Sequence, residues 1–391
     1  MRTVSYEDLV EEQDDILFNA PLNNVVLIQG PPGCGKTIMA FHRAEALADE
    51  FETVHVMMYN TVLSKFSSNA TDTDNIEVKT MHSWMGRWWR SFMHKNHPQH
   101  EPFHPKYDEM FNLLIEKKSS GNLDLKKLNW GHIIIDEAQD FSNNRFEFLN
   151  QVRTAFFRDP DSQPSITILA DENQMITDDN STLDEIKSSF QIDTNEKVFS
   201  LKINHRNTDE INDFIQCFNV GVATGKTESA GIHGDKPEIV FSNNSSKTID
   251  DIISYAQLHQ DHEIGIIVTS EPDRRIYYDA LNNKLDNTDF NVQTFRKKAG
   301  HTADLLDFDK EGTITVLHIR SCKGLEFDAV FIPNLSSMRI NDADLDKFKM
   351  EMYVMCSRAR KDLALYVDNE HSHVLNYLPS KQDDLMRYKN V

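Results

Sequence analysis

The chain has 391 residues, 39% of them hydrophobic and 26% charged, enough for two ordinary domains with substantial cores. Its formal net charge of −21 argues against a general electrostatic hold on phosphate backbones, though a local basic groove can sit on an acidic body. No apolar run approaches the ~20 residues of a membrane span. The start, MRTVSYEDLVEEQDD, is acidic and lacks the basic-then-apolar pattern of a secretory signal. Cys34, Cys217, Cys322 and Cys356 have no metal-type spacing and read as reduced thiols. These features point to a cytoplasmic protein with no membrane partner.

In chain order, apolar β-type runs alternate with helical stretches, the pattern of α/β folding around parallel sheets. Strands are predicted over 25–29, 54–58, 133–136 and 166–170, with helices over 36–48, 81–93, 108–117 and 145–157. The alternation restarts with strands over 238–241, 264–268, 313–318, 329–332 and 363–367, and helices over 208–217, 248–259, 273–285 and 344–358. HKNHPQHEPFHP (94–105) breaks the pattern as a loop, 286–311 is irregular, and the polar tail after Val367 is expected to be loosely held. The expected domains are 1–195, with a small helical insert about 85–128, and 196–391.

GPPGCGKT (30–37) follows the run VVLIQ and opens a helix, the context a phosphate-binding loop requires. Gly30, Gly33 and Gly35 would let backbone N–H groups curl around phosphates. Lys36 would reach the β- and γ-phosphates of ATP, and Thr37 would bind Mg²⁺. The plainer alternative is a Gly/Pro loop before a helix. HIIIDEAQD (132–140) ends a buried strand in carboxylates, so Asp136 would serve the metal and Glu137 would polarise water. A helix cap is the competing reading for that pair.

DEAQD, with several further blocks, resembles the superfamily I helicases of the UvrD/Rep type, from Gln13 to about Val367 and in the family's order. The resemblance implies an α/β fold of two tandem RecA-like P-loop domains with parallel sheets and the ATP site in the interdomain cleft. It implies that Gln13 reads adenine, and that Tyr59 and Asn60 of VMMYNTVLSKF and Thr80 and His82 of TMHSW lie against single-stranded nucleic acid. In LKINHRNT (201–208), Arg206 would meet the γ-phosphate, and His205 replaces the tyrosine that stacks on adenine. In SCKGLEFDAVFIP, Gly324 and Glu326 would meet the phosphate and ribose side, although Ile319 and Arg320 depart from the family's lead-in. Arg358 of YVMCSRARKDL would be the second γ-phosphate arginine. In ILADENQ, Gln174 would sense the γ-phosphate while Asp171 steadies the loop. Met175, Ile176, Thr177 and Asp178 then stand where relatives carry an aromatic-rich run, so the strand-gripping half of that motif is reduced.

In WMGRWWRSFMHK, Trp84, Arg87, Trp88, Trp89 and Arg90 combine stacking faces with positive charge, as single-strand binders do; the competing reading packs Trp84, Trp88 and Phe92 inward at i, i+4, i+8 and leaves Arg87, Trp89 and Arg90 for the strand. His94, His97, His100 and His104 suggest a metal site, against which stands the lack of cysteine or a second shell. The family's large insertions have no room here. Two functions are expected: an ATP-dependent translocase or helicase on single-stranded DNA, moving 3′–5′ as the resemblance implies and with RNA as the alternative strand, or a nucleic-acid-activated ATPase switch. The switch would be a regulatory subunit with a protein partner in a repair or phage-defence complex.

Overall fold

Short runs of β-branched and aliphatic residues, buried on both faces, build the two sheets of this computed structural model. It describes residues 10–51, 53–58, 75–101, 104–175, 180–192, 195–220, 227–295, 306–307, 310–341 and 344–391. The chain separates into two compact units: Thr3–Gly30 with Gly35–Leu201, and Met1–Arg2 and Pro31–Cys34 with Lys202–Val391.

The first unit contains α1 (Glu11–Asn19), β1 (Val25–Gln29), α2 (Lys36–Ala48), β2 (Val54–Met58), β3 (Ile76–Thr80) and α3 (Met81–Met93). A short hairpin, β4 (Gln99–Glu101) and β5 (His104–Pro105), leads to α4 (Tyr107–Ser119), α5 (Leu125–Leu128), β6 (His132–Ile135) and α6 (Asn143–Phe156). β7 (Ser165–Ala170), α7 (Leu183–Phe190) and β8 (Val198–Ser200) complete it. The sheet order is β3-β2-β6-β7-β1-β8, every pair parallel. β6 and β7 are buried at every position, as strands covered by helices on both faces must be. β3, a strand absent from the predicted set, alternates weakly because only Ile76 is fully buried.

The second unit runs through β9 (Ile203–Asn204), α8 (Asp209–Gln216), β10 (Glu228–Ser229), β11 (Glu238–Phe241), α9 (Ser245–Leu258) and β12 (Ile264–Val268). α10 (Glu271–Lys284), β13 (Asn291–Thr294), β14 (Thr313–His318), β15 (Phe327–Ile332), α11 (Leu345–Cys356), β16 (Ala359–Val367) and β17 (Arg387–Asn390) follow. Its main sheet has the order β13-β14-β12-β15-β16-β11-β17, again parallel throughout.

Three local expectations need correction. The polar tail is held: β17 pairs with β11, Tyr388 stacks on Phe241 at 5.8 Å, and Lys389 Nζ reaches Asp251 at 2.6 Å. Polar composition misled because an edge strand spends backbone hydrogen bonds, not apolar side chains, on its neighbour. The 94–105 loop contains the β4–β5 hairpin, and the 286–311 stretch contains β13.

Arg43 ties the first unit together from α2. Its Nε donates to Thr167 Oγ1 at 2.7 Å and its Nη groups to the Ala20 and Pro21 carbonyls behind α1. Beside it, His132 is fully buried, with Nε2 2.9 Å from Thr167 Oγ1. Burial first, and then the Arg43 charge, holds the His132 pKa well below its usual 6.5. An unfolded chain would protonate this residue near pH 6.5, whereas the folded chain would not. The stability it confers is therefore complete above that pH and falls as the pH drops, by about 1.4 kcal/mol per pH unit. His132→Gln is expected to flatten the stability slope between neutral and mildly acid pH by that amount. Urea unfolding at matched pH values measures it, and equal slopes would refute the role.

Candidate nucleotide site

Register places the chemistry. β1 pairs with β7 so that Gln29 lies opposite Ala170, and β6 pairs with β7 so that Ile135 lies opposite Ile168. Adjacent strands lie ~4.8 Å apart, so the turns leaving β1, β7 and β6 emerge side by side at the carboxyl edge of the sheet. Those turns carry the phosphate-loop residues from Gly30, the loop from Asp171, and the pair Asp136–Glu137. Gly30 N–H donates to Ala170 O at 3.2 Å and Asp136 N–H to Met57 O at 3.0 Å, anchoring the turns to neighbouring strands.

The loop into α2 has glycine where backbone geometry demands it. Gly33 and Gly35 have φ of 79° and 83°, and a Cβ on Gly35 would fall 2.3 Å from Gln13 Nε2. Gln13 is itself buried, on α1, with its Oε1 3.4 Å from the Val10 N–H. Gln13 therefore lies directly against the loop. Lys36 is 6% exposed; its ammonium donates to Gly30 O at 2.7 Å and lies 4.0 Å from Asp171 Oδ2. Thr37 Oγ1 donates to Asp136 Oδ2 at 2.8 Å.

Behind these groups is a buried carboxylate–amide chain. Glu137 occupies the left-handed region, φ 52°, with its N–H on Asp136 Oδ1 at 3.0 Å. Such a conformation costs a non-glycine residue about 1–3 kcal/mol and is a feature of sites where geometry outranks comfort. Gln139 Nε2 donates to Glu137 Oε2, while Gln139 Oε1 accepts the Asp171 N–H at 3.0 Å. Gln174 Nε2 donates to Asp171 Oδ2 at 2.6 Å, and Asp171 Oδ1 accepts the Asn173 N–H at 3.1 Å. One amide, Gln139, therefore links the expected water-activating carboxylate to the loop beside Lys36. Sequence reasoning passed over it. The only signal was an amide inside an acidic word, DEAQD.

Burial raises the Asp136 pKa, helped by the Glu137 charge and opposed by Thr37, Lys36 and the Glu137 N–H. Asp171 is also raised, again by burial first, with Lys36 and Gln174 opposing. Lys36 is thus the cation that the described residues bring to both carboxylates. Thr37 and Asp136 present hard oxygen donors on one side, the chemistry Mg²⁺ takes with one or two protein oxygens and phosphates completing its shell. The residues present thus fit that ion. Among the described residues no cluster of three or more His, Cys, Asp or Glu side chains gathers as a metal site, the histidines of 94–104 included.

In the second unit, Asn204 organises the NHRNT turn. Its Oδ1 accepts the Arg206 and Asn207 N–H groups at 3.0 and 3.1 Å, and its Nδ2 donates to Asn207 and Asn212. Arg206 Nε pairs with Glu326 at 2.7 Å, and Arg360 lies 3.7 Å from the same carboxylate. Burial works against ionised Glu326, but the Arg206 and Arg360 charges outweigh it and hold the pKa below the usual value. Glu326, expected toward ribose and phosphate, is thus an orienting partner of Arg206 within this unit. Gly324 has φ 76° in the same turn. His205 is half-buried beside Arg206. Arg358 is buried, donating to Val354 O at 2.9 Å, Leu325 O at 3.4 Å and Ser357 Oγ at 2.8 Å.

The strand-binding candidates fare unevenly. Tyr59 and Asn60 lie outside the described residues, as do Ile176, Thr177 and Asp178. Thr80 is half-buried at the start of α3, and His82, Arg87 and Arg90 are exposed along it. Trp89 requires correction: it is 0% exposed, packed edge-on to Phe92 at 5.7 Å. The stripe of Trp84, Trp88 and Phe92 also faces inward, with Trp84 and Trp88 stacked at 5.5 Å. α3 buries both faces of its aromatic run because α5 and the core flank it, so Trp89 has no ring face to offer a base.

Fold and site together define a P-loop nucleotide-binding α/β protein. Residues 13–180 match the model of an AAA domain. Over 269 residues, 64% of this chain, the sequence is 25% identical to a "Putative ATP-dependent DNA helicase" of Acanthamoeba polyphaga mimivirus. A 58-residue stretch, 15% of this chain, is 38% identical to the RecB subunit of the RecBCD enzyme from Chlamydia pneumoniae. These matches span only 36% and 5% of the two relatives. Among solved structures, S. cerevisiae Dbp5 bound to RNA and ADP BeF3 superposes with a TM-score of 0.54 at 12% identity, covering 98% of this chain and 90% of that one. That likeness establishes the fold: two tandem RecA-like domains. The matches support a place among the P-loop helicase superfamily.

If Gln139 couples Glu137 to the Asp171 loop, Gln139→Leu should lower ATP turnover on the order of 10- to 100-fold while changing ATP affinity little. Steady-state hydrolysis beside equilibrium binding of a fluorescent ATP analogue separates the two. Unchanged turnover would remove Gln139 from the site.

Proposed function

We propose that the chain is a nucleic-acid-dependent ATPase of the superfamily I, UvrD/Rep type, translocating 3′–5′ on single-stranded DNA. The observation that carries this reading is the continuous path Lys36–Asp171–Gln139–Glu137, with Thr37 and Asp136 paired beside it. Lys36 exchanges its Gly30 carbonyl for β- and γ-phosphate oxygens, and the backbone N–H groups of the loop cradle the rest. Thr37 and Asp136 would hold Mg²⁺, which would supply positive charge against the phosphates. Glu137 accepts a proton from water as its oxygen bonds to the γ-phosphorus and the bond to the bridging oxygen of ADP breaks. Gln13 reads adenine and His205 lies against the base. Gln174, hydrogen-bonded to Asp171, reports whether the γ-phosphate is present.

Arg206 and Arg358 complete the proposal as γ-phosphate arginines, Arg206 held in line by Glu326, with Gly324 in the same turn. Strand contact falls to Thr80, His82, Arg87 and Arg90 in this reading, with Tyr59 and Asn60 beyond the described residues. A second reading has a specific basis. The net charge of −21 and the loss of Trp89 to the core both weaken strand grip, which favours an ATPase switch in a larger repair or phage-defence assembly. Base stacking is worth about 1–3 kcal/mol per base, so a missing ring matters.

ATP turnover is expected to rise when single-stranded DNA is added, and Glu137→Gln should reduce it about 10²-fold or more. Arg206→Ala should cost about 10³-fold with ATP binding largely kept. No stimulation by DNA or RNA would sink the motor reading, and turnover surviving Glu137→Gln would sink the assignment of the base. Displacement of a 3′-tailed duplex by the pure chain distinguishes helicase from switch.

A further inference from the structure

A cavity of about 620 Å³ opens in the first unit, lined by none of the nucleotide-site residues. Its walls come from the β5–α4 junction and from the start of α6, and include Lys106, Tyr107, Ser142, Arg145 and Phe148. Arg145 is the unusual member. It is 3% exposed, yet its guanidinium forms no ion pair with any described residue. Nε donates to Tyr107 Oη at 2.9 Å, and the group lies 5.0 Å over the ring of Phe141. A guanidinium has five N–H donors, and among the described residues the other four meet no acceptor. None of its nitrogens is a buried atom lacking a partner, so the Nη groups open into the cavity, where they have no counter-charge among the described residues and an anion can meet them.

The surrounding backbone reinforces that demand. Ser142 is the N-cap of the 14-residue α6, but its hydroxyl makes no capping bond. The 13-residue α4, which begins on the opposite wall, also has no side-chain cap. The positive ends of two helices without side-chain caps therefore border the same space as the guanidinium. The rim carries Asp108, Glu109 and Glu147. Glu109 is occupied by Lys106 at 3.4 Å, and Glu147 accepts from Asn143 Nδ2 at 2.8 Å. Three rim carboxylates penalise a multiply charged ligand or a nucleic-acid backbone, while one planar oxyanion can meet the fork of Arg145.

We propose that this cavity is a binding site for a single carboxylate group, taken by Arg145 with the Ser142 hydroxyl and the α6 N-terminus beside it. Tyr107 and Phe148, ring centroids 5.3 Å apart, form the apolar wall for the carbon skeleton that bears the carboxylate. The reading is independent of the ATPase proposal.

The test uses the intact chain and acetate as the probe, against chloride at equal ionic strength. Phenylglyoxal modification of Arg145, followed by peptide mass mapping, should slow about twofold at half-saturating acetate. Acetate should also raise the thermal midpoint of the wild type and of Lys36→Ala, in which the phosphate loop is disabled, but not of Arg145→Gln. Inorganic phosphate should protect Arg145 less well than acetate. An Arg145 modification rate indifferent to acetate would overturn the site, and this reading on the wild type stands even where Arg145→Gln fails to fold. Stronger protection by phosphate or by a single-stranded oligonucleotide would overturn the carboxylate assignment. Equal acetate stabilisation in Arg145→Gln would place the effect elsewhere and overturn the proposal.

Discussion

The parallel pairing of β6, β7 and β1 is the constraint on which the site depends. Because the strands run the same way, their carboxyl ends lie at one edge, and residues distant in sequence become neighbours within one or two strand spacings. The apolar runs VVLIQ, HIII and SITILA drive that pairing by burying both faces. The polar groups that follow each run are carried to the rim as a consequence. Thr37 meeting Asp136, and Lys36 nearing Asp171, are results of strand packing before they are features of chemistry.

At that rim burial works against the charged groups. Asp136 and Asp171 are both driven upward in pKa by burial, and Lys36 divides its attraction between a backbone carbonyl and a carboxylate. The amide of Gln139 spans two turns at once, so movement of the Asp171 loop reaches Glu137 through two hydrogen bonds. Burial makes that connection stiff, since a broken bond would leave a polar atom unpaired. The second unit uses the same device: Asn204 closes the NHRNT turn on itself, and Glu326 fixes the direction of Arg206.

Strong periodic signals were legible in advance. The helices at 36–48 and 81–93 and the strands at 25–29 and 54–58 coincide with the observed elements, because dense apolar patterning leaves few alternatives. The phosphate loop was legible for a different reason: positive φ at Gly33 and Gly35 leaves little choice of residue. Weak patterning hid β3, β13 and β17, whose stability comes from backbone pairing with a neighbour strand. Trp89 was misread because helical spacing identifies one buried stripe but cannot tell that a second flank is also covered.

By itself, the sequence determined which residues could do chemistry: a glycine loop with Lys36 and Thr37, carboxylates at the ends of apolar strands, and arginines in the second half. Those are properties of residue type and local spacing, and both are local quantities. Only the tertiary structure decided which of them share hydrogen bonds. That Gln139 joins Glu137 to Asp171, that Glu326 serves Arg206, and that Arg145 lines a cavity with no ion-pair partner among the described residues all depend on turns from different strands and helices meeting in space. Proximity of that kind follows from sheet order and helix packing, which no short stretch of the chain encodes alone.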